Sequence, residues 1–191
     1  MPIKLVRIVR KRNKTLTLTA GQYTQDETIA DELRTMRAAD FEQKVDVVWS
    51  LILGHYLSKG KGYVHARENR VRKGYVDIYT KQWVRRPGHQ NRVQCPFLIT
   101  QCKRQKRQWR GEAWDEGRHQ IDKYLKGLER KKSWKHPSYG IVAVGKYVRF
   151  YEWDTKEKEL LLYNNERKYH IINDAQEIEN LLLYIRDRHK K

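Results

Sequence analysis

Two strand-like segments of this chain carry polar groups where a buried strand ordinarily has none. Asp77 interrupts GYVDIYT, residues 74–80, and Gln101 and Lys103 interrupt FLITQCKRQ, residues 97–105. Side chains alternate along a strand with period two, so Gln101 and Lys103 share one face and Cys102 takes the other. If the two strands pair, a carboxylate, an amide and an ammonium converge at one edge of a sheet. The Asp77 and Gln101 oxygens suit a hard divalent cation, Mg2+ or Mn2+. The adjacent lysine can offset charge developing on a phosphate, or help to orient an attacking water. There are structural alternatives: Asp77 closes its turn through an Asx hydrogen bond, and Lys103 snorkels to solvent.

The surrounding pattern predicts the elements that position these groups. DFEQKVDVVWSLILGHYL reads as a helix: Asp40 and Gln43 make a capping-box pattern, and Phe41, Val45, Val48, Ile52 and Tyr56 recur at helical spacing. YVHARENRVRKGYVDIYTKQWV reads as two strands turning near Lys73 and Gly74, and CPFLITQCKRQ as a third. WRGEAWDEGRHQIDKYLKGLERKK is a helix with Trp114, Ile121, Tyr124, Leu125 and Leu128 toward a core. Strands GIVAVG and YVRFYEWD follow, joined at Gly145 and Lys146. A hairpin-like segment over 159–172 precedes a last helix, opened by a capping box of Asp174 and Glu177. Residues 20–38 are polar and partly helical, and 3–19 read as a basic hairpin. The order predicts one α/β domain over 1–191, a central mixed sheet flanked by helices. It divides into a basic N-terminal hairpin and connector at 1–38, a core at 39–154, and a C-terminal hairpin and helix at 155–191.

GYVDIY followed by FLITQCK resembles the bipartite motif of the PD-(D/E)XK nucleases, the restriction-endonuclease-like superfamily. There an Asp follows a turn between two strands, a (D/E)-x-K lies on the next strand, and a helix comes after. QIDKY, Gln120 to Tyr124, is similar to the QxxxY element of the RecB-type branch, and Gly74, three residues before Asp77, fits its GxxD. The matched pieces span about residues 40–150. The resemblance implies a restriction-endonuclease-like core and Mg2+-dependent phosphodiester hydrolysis. It also implies a glutamate on the helix before the first strand, for which Glu42 is the candidate, with Asp46 and Glu68 as alternatives. Asp77, Gln101 and Glu42 would hold the metal, Lys103 would serve the attacking water, and Gln120 and Tyr124 would be accessory. The chain departs from the family at Gln101, where a carboxylate is the rule. An amide brings no negative charge, so either hydrolysis tolerates it or the site has kept only binding.

Charge points to the partner. Among 191 residues, Lys and Arg number 41 against 23 Asp and Glu, a formal net charge of +18. A field of that sign attracts polyanions, of which nucleic acid is the commonest. DNA is the expected substrate, with RNA the alternative, and with nucleic-acid binding without hydrolysis as the rival function. Arg104, Lys106, Arg107 and Arg110 run straight out of the candidate site, and Arg85, Arg86 and Arg92 flank the loop before it; all would grip phosphates. Trp83 and Trp109 would stack on bases or on Arg, or, for Trp109, start the helix and pack. No apolar run approaches the roughly 20 residues that span a bilayer. Two cysteines, Cys95 and Cys102, are too few for a disulfide scaffold, so an intracellular setting in cytoplasm or nucleus is expected. The lack of a recognition domain points to a protein partner that supplies target choice.

Overall fold

The alternating apolar segments build one seven-stranded mixed sheet in the computed structural model, which describes residues 21–71, 74–85, 90–129, 137–164 and 167–189. Strands β1 (Tyr63–Val71), β2 (Gly74–Val84), β3 (Val93–Lys103), β4 (Tyr139–Val144), β5 (Tyr147–Asp154) and β6 (Glu159–Leu162) lie side by side in chain order, and β7 (Tyr169–His170) also pairs with β5. β3 and β4 run parallel and the other described neighbours antiparallel. Helices are α1 (Glu27–Thr35), α2 (Glu42–Tyr56), α3 (Gly111–Glu129) and α4 (Ala175–Arg188). A parallel pair needs a crossover, and α3 supplies it. The expected class, a mixed sheet flanked by helices, is the observed one.

The helices divide between the two faces. Val48, Trp49 and Ile52 of α2 and Ile178 and Leu182 of α4 pack on Ile78, Leu98, Cys102, Ile141 and Phe150. Trp114, Ile121, Tyr124, Leu125 and Leu128 of α3 bury against Val76, Ile99, Val142 and Tyr151 on the other face, as their spacing predicts. Gly117 lets α3 lie close, for a methyl there would stand 2.7 Å from Val142 Cγ1. Within β3 the register slips opposite Thr80 and Lys81: Leu98 and Pro96 have partners and Phe97 is the extra residue. Pro96 has no N–H to give the ladder, and the bulge puts both Phe97 and Leu98 in the α2–α4 core. Beyond it the alternation resumes, and Ile99, Gln101 and Lys103 share the α3 side.

Several local expectations differ from the structure. Asp40 does not cap α2; its carboxylate accepts the Arg37 N–H at 2.6 Å, closing the turn before the helix, and Phe41 occupies the cap position without a side-chain bond. Phe41 is 66 % exposed, lying under the Arg104 guanidinium instead of in the core. Asp174 stands at the cap of α4 but accepts from His170 N–H and from Arg167, each at 2.7 Å, so the Asp174–Glu177 capping box does not form. Segment 159–172 is not a hairpin: β6 pairs with Tyr151–Asp154 and β7 with Tyr147–Val148, both along the same strand. The basic hairpin expected at 3–19 and the tip at Lys73 lie outside the described residues. Among those residues, no helix is long and apolar enough to cross a membrane.

The β4–β5 turn is pinned to the end of β3. Gly145 has φ +58°, donates its N–H to Lys103 O at 3.0 Å, and lies so near Gln105 that an added Cβ would meet Gln105 Cα at 2.5 Å. Gly145→Ala combines a left-handed backbone with that overlap. It is expected to destabilise the fold by about 2–3 kcal/mol, read as a lowered urea midpoint with an unchanged m-value.

Candidate functional site

The β2–β3 ladder ends at Ile78 opposite Thr100. The next outward donor, Cys102 N–H, goes to the Asp77 carboxylate at 2.6 Å, so a side chain stands where a strand carbonyl would. This bond crosses to β3 and ties Asp77 to the strand that carries Gln101 and Lys103. Burial is the main influence on the Asp77 carboxyl and raises it to about 6; Cys102 N–H and Lys103 pull it down, while Glu42 and Asp46 push it up.

Lys103 does not snorkel. It is 5 % exposed, with Nζ 3.2 Å from Glu116 Oε1 on α3 and 3.6 Å from Glu42 Oε1 in the first turn of α2. The two helices approach the end of β3 from opposite faces of the sheet and each delivers a carboxylate to the same ammonium. Glu116 Oε2 also takes Arg107 at 3.0 Å. Burial works to raise the Glu116 carboxyl, but Lys103 and Arg107 together hold it below the ordinary range. Of the three candidate helix and strand carboxylates, Glu42 is the one against Lys103. Asp46, one turn later, binds Arg67 of β1, with Nε 2.8 Å from Oδ2. The Glu68 side chain lies outside the described residues. Glu116 has no signal in the sequence, where it is one acid among the charged residues of an amphipathic helix.

Two observations bear on whether a divalent cation fits. Asp46 Oδ1 is buried with no hydrogen-bond partner, and burial disfavours the Asp77 anion although Cys102 N–H and Lys103 support it. Both mark negative charge that a cation would neutralise. Gln101 is buried on the neighbouring strand β3, two residues before Lys103, and carries an amide oxygen. Among the described residues no three His, Cys, Asp or Glu side chains form a ready-made ion cage, so a metal here would take carboxylates together with the amide.

Glu116, Gln120 and Tyr124 recur every fourth residue and form one stripe along the flank of α3, from exposed Glu116 to buried Tyr124. Gln120 Oε1 is buried without a partner, and Tyr124 stands edge-on to Tyr79 of β2 with ring centroids 5.7 Å apart. The residues expected to be accessory thus lie along α3 beyond Glu116, with Tyr124 against β2. The basic residues divide. Arg104 stacks over Phe41, Arg107 is held by Glu116, and Lys106, Trp109 and Arg110 are exposed at the mouth. Arg85, Arg92 and Trp83 are exposed at the opposite end of the β2–β3 pair, eight residues of strand from Asp77 in the case of Arg85, or about 26 Å. The structure does not bring them to the site, and Arg86 lies outside the described residues. Cys102 is free and buried, its thiol pushed well up by burial, which suits packing and not nucleophilic attack.

The chain matches no protein-family model, no curated protein and no solved structure.

The raised Asp77 pKa carries a stability consequence. Below its ordinary value near 3.8 the carboxyl is neutral folded and unfolded; as pH rises through about 6 the folded state must hold a buried anion and loses stability. Asp77→Asn keeps an acceptor for Cys102 N–H and removes that charge. It is expected to stabilise the protein by about 1–2 kcal/mol at pH 8, after discounting for partial solvent screening. The gain should vanish near pH 4, as read by urea unfolding at the two pH values.

Proposed function

We propose that this chain is a metal-dependent nuclease with a restriction-endonuclease-like core of the PD-(D/E)XK type, hydrolysing phosphodiester bonds in DNA. The observation that carries the reading is Lys103, an ammonium withdrawn from water at a strand end and met by Glu42 and Glu116 beside Asp77. A lysine with only a solubilising role would put its charge in solvent. The net charge of +18 supports a polyanionic substrate. Mg2+ or Mn2+, held by Asp77, Glu42 and Gln101, would supply Lewis-acid polarisation of the scissile phosphate.

The chain's own residues account for the rest. Hydrolysis joins a water oxygen to phosphorus and breaks the P–O bond to the sugar, so negative charge grows on the non-bridging and leaving oxygens. The Lys103 ammonium, fixed by two carboxylates, is aimed at that charge without reorganising. Asp77, anchored by Cys102 N–H, holds its anion at the strand end, and Gln101 presents a neutral oxygen two residues before the lysine. Arg107 and the exposed Lys106 and Arg110 provide phosphate contacts at the mouth. An intracellular setting belongs to the same proposal, supported by a cysteine content of two, too low for a disulfide scaffold, as does a protein partner that selects the target.

A second reading, a nuclease-like fold that binds nucleic acid without cutting it, is favoured by one observation: Gln101 brings no charge where the family pattern has a carboxylate on β3. Incubating labelled DNA with the protein in Mg2+, Mn2+ or EDTA separates the two. The nuclease reading expects metal-dependent cutting, lowered at least about 100-fold by Asp77→Ala and by Lys103→Ala. Activity should rise with pH through about 6, as Asp77 ionises. Gln101→Glu is expected to lower the Mg2+ concentration needed. Salt-sensitive binding with no cutting by the wild type or Gln101→Glu, in either metal, would establish the second reading and overturn the first.

A further inference from the structure

Trp109 is 70 % exposed, so it does not pack into the start of α3. Its ring instead lies 5.0 Å, centroid to centroid, from that of Tyr147, and Tyr147 lies 5.0 Å from His170 on the neighbouring strand β7. The three rings form a row at the start of β5, Trp109 tilted against Tyr147 and Tyr147 edge-on to His170, with Tyr147 and His170 half-exposed. His170 Nδ1 accepts the Ile172 and Asn173 N–H groups, which leaves its proton on Nε2 and makes it a flat neutral ring. The row joins the Lys103 site through the backbone: Val144 pairs with Lys103, and Gly145 N–H donates to Lys103 O, two residues before Tyr147.

Cations border the row. Lys146 follows Gly145 and is near enough to depress the His170 pKa, behind burial in size. Arg149 and Lys168 crowd the same Trp114 ring, at 5.1 and 4.9 Å, and Arg149 Nε is buried without a hydrogen-bond partner. Two like charges held on one ring repel, and a phosphate chain laid along them would relieve the repulsion.

We propose that the Trp109–Tyr147–His170 row is a stacking platform for unpaired bases, flanked by Lys146, Arg149 and Lys168 for the backbone, so that the DNA this protein engages carries a single-stranded stretch beside the Lys103 site. Bases in a duplex spend their faces on one another; only an unpaired base can offer a face to a side-chain ring. The proposal rests on the nucleic-acid reading of the same site, but not on hydrolysis.

Binding in EDTA tests it with cutting suppressed. Fluorescence anisotropy would compare a labelled single-stranded oligodeoxynucleotide, its duplex and the matched RNA strand at one salt concentration. The single strand is expected to bind tightest. Trp109→Ala and Tyr147→Ala should each weaken it about 5- to 100-fold while changing duplex affinity less than about 3-fold. Trp109→Phe, which keeps an aromatic face, should retain most of the affinity. Intrinsic tryptophan emission should be quenched by the single strand in the wild type, and much less so in the Trp109→Phe protein. Equal losses on single strand and duplex, or no loss in Trp109→Ala, would overturn the platform and leave the nuclease reading standing. Tighter binding of the RNA would overturn the assignment to DNA. Trp109-dependent binding by a protein that cuts nothing would uphold the platform and overturn hydrolysis; no binding of any strand would overturn both.

Discussion

The Lys103 ammonium is almost wholly withdrawn from water, and much of the structure around it follows from the need to neutralise it. An isolated ion in that position would cost several kcal/mol, and the penalty is recovered only where partners are held in place. Here the partners come from opposite sides of the sheet: Glu42 from the first turn of α2 and Glu116 from α3. Arg107, in the turn directly after β3, holds the second oxygen of Glu116. The Lys103 carbonyl takes the Gly145 N–H, so the β4–β5 turn is fixed to the same residue. A strand end, two helices and a hairpin turn thus meet at one residue.

That meeting point reverses the electrostatics of the chain. Cations outnumber carboxylates 41 to 23 overall, yet among the described residues around Lys103 the carboxylates of Glu42, Asp46, Asp77 and Glu116 lie with three cations, Lys103, Arg67 and Arg107. At Asp77 burial raises the pKa despite an adjacent lysine and a backbone donor, and Glu42 and Asp46 add to the rise. Lys106, Trp109 and Arg110 are exposed close by. A cluster of carboxylates with basic residues exposed beside it is an arrangement in which a cation and a polyanion can be held together, each by the charge the other lacks.

Strong period was legible in the sequence and capping was not. The stripe Trp114, Ile121, Leu125 and Leu128 buries as its spacing requires, because a helix face of that width has only the sheet to cover it. Asp40 and Asp174 each have the residue type of a cap, but each carboxylate finds a backbone N–H on its N-terminal side, Arg37 in one case and His170 in the other. A local motif cannot reveal which of two nearby donors wins. The convergence of Asp77 with Lys103 was readable from strand alternation and pairing. Glu116 was not, because its role depends on how far along β3 the crossover helix lands. Nor was the distance of Arg85 from the site, since loop residues adjacent in sequence to β3 stand at its far end.

Glu116 bears on the meaning of Gln101. The amide contributes an oxygen but no charge, which weakens a hard-cation site built from strand residues alone. The crossover helix brings a carboxylate to the same lysine from the other direction, within 3.2 Å. What transition-state charge and a divalent ion both respond to is the field at the site, not the order in which its sources occur along the chain. In the nuclease reading, therefore, a carboxylate missing from β3 does not by itself imply lost hydrolysis, because α3 places another where Lys103 can share it. The close packing that Gly117 allows against Val142, one turn of the helix from Trp114, is what keeps α3 near enough to do so.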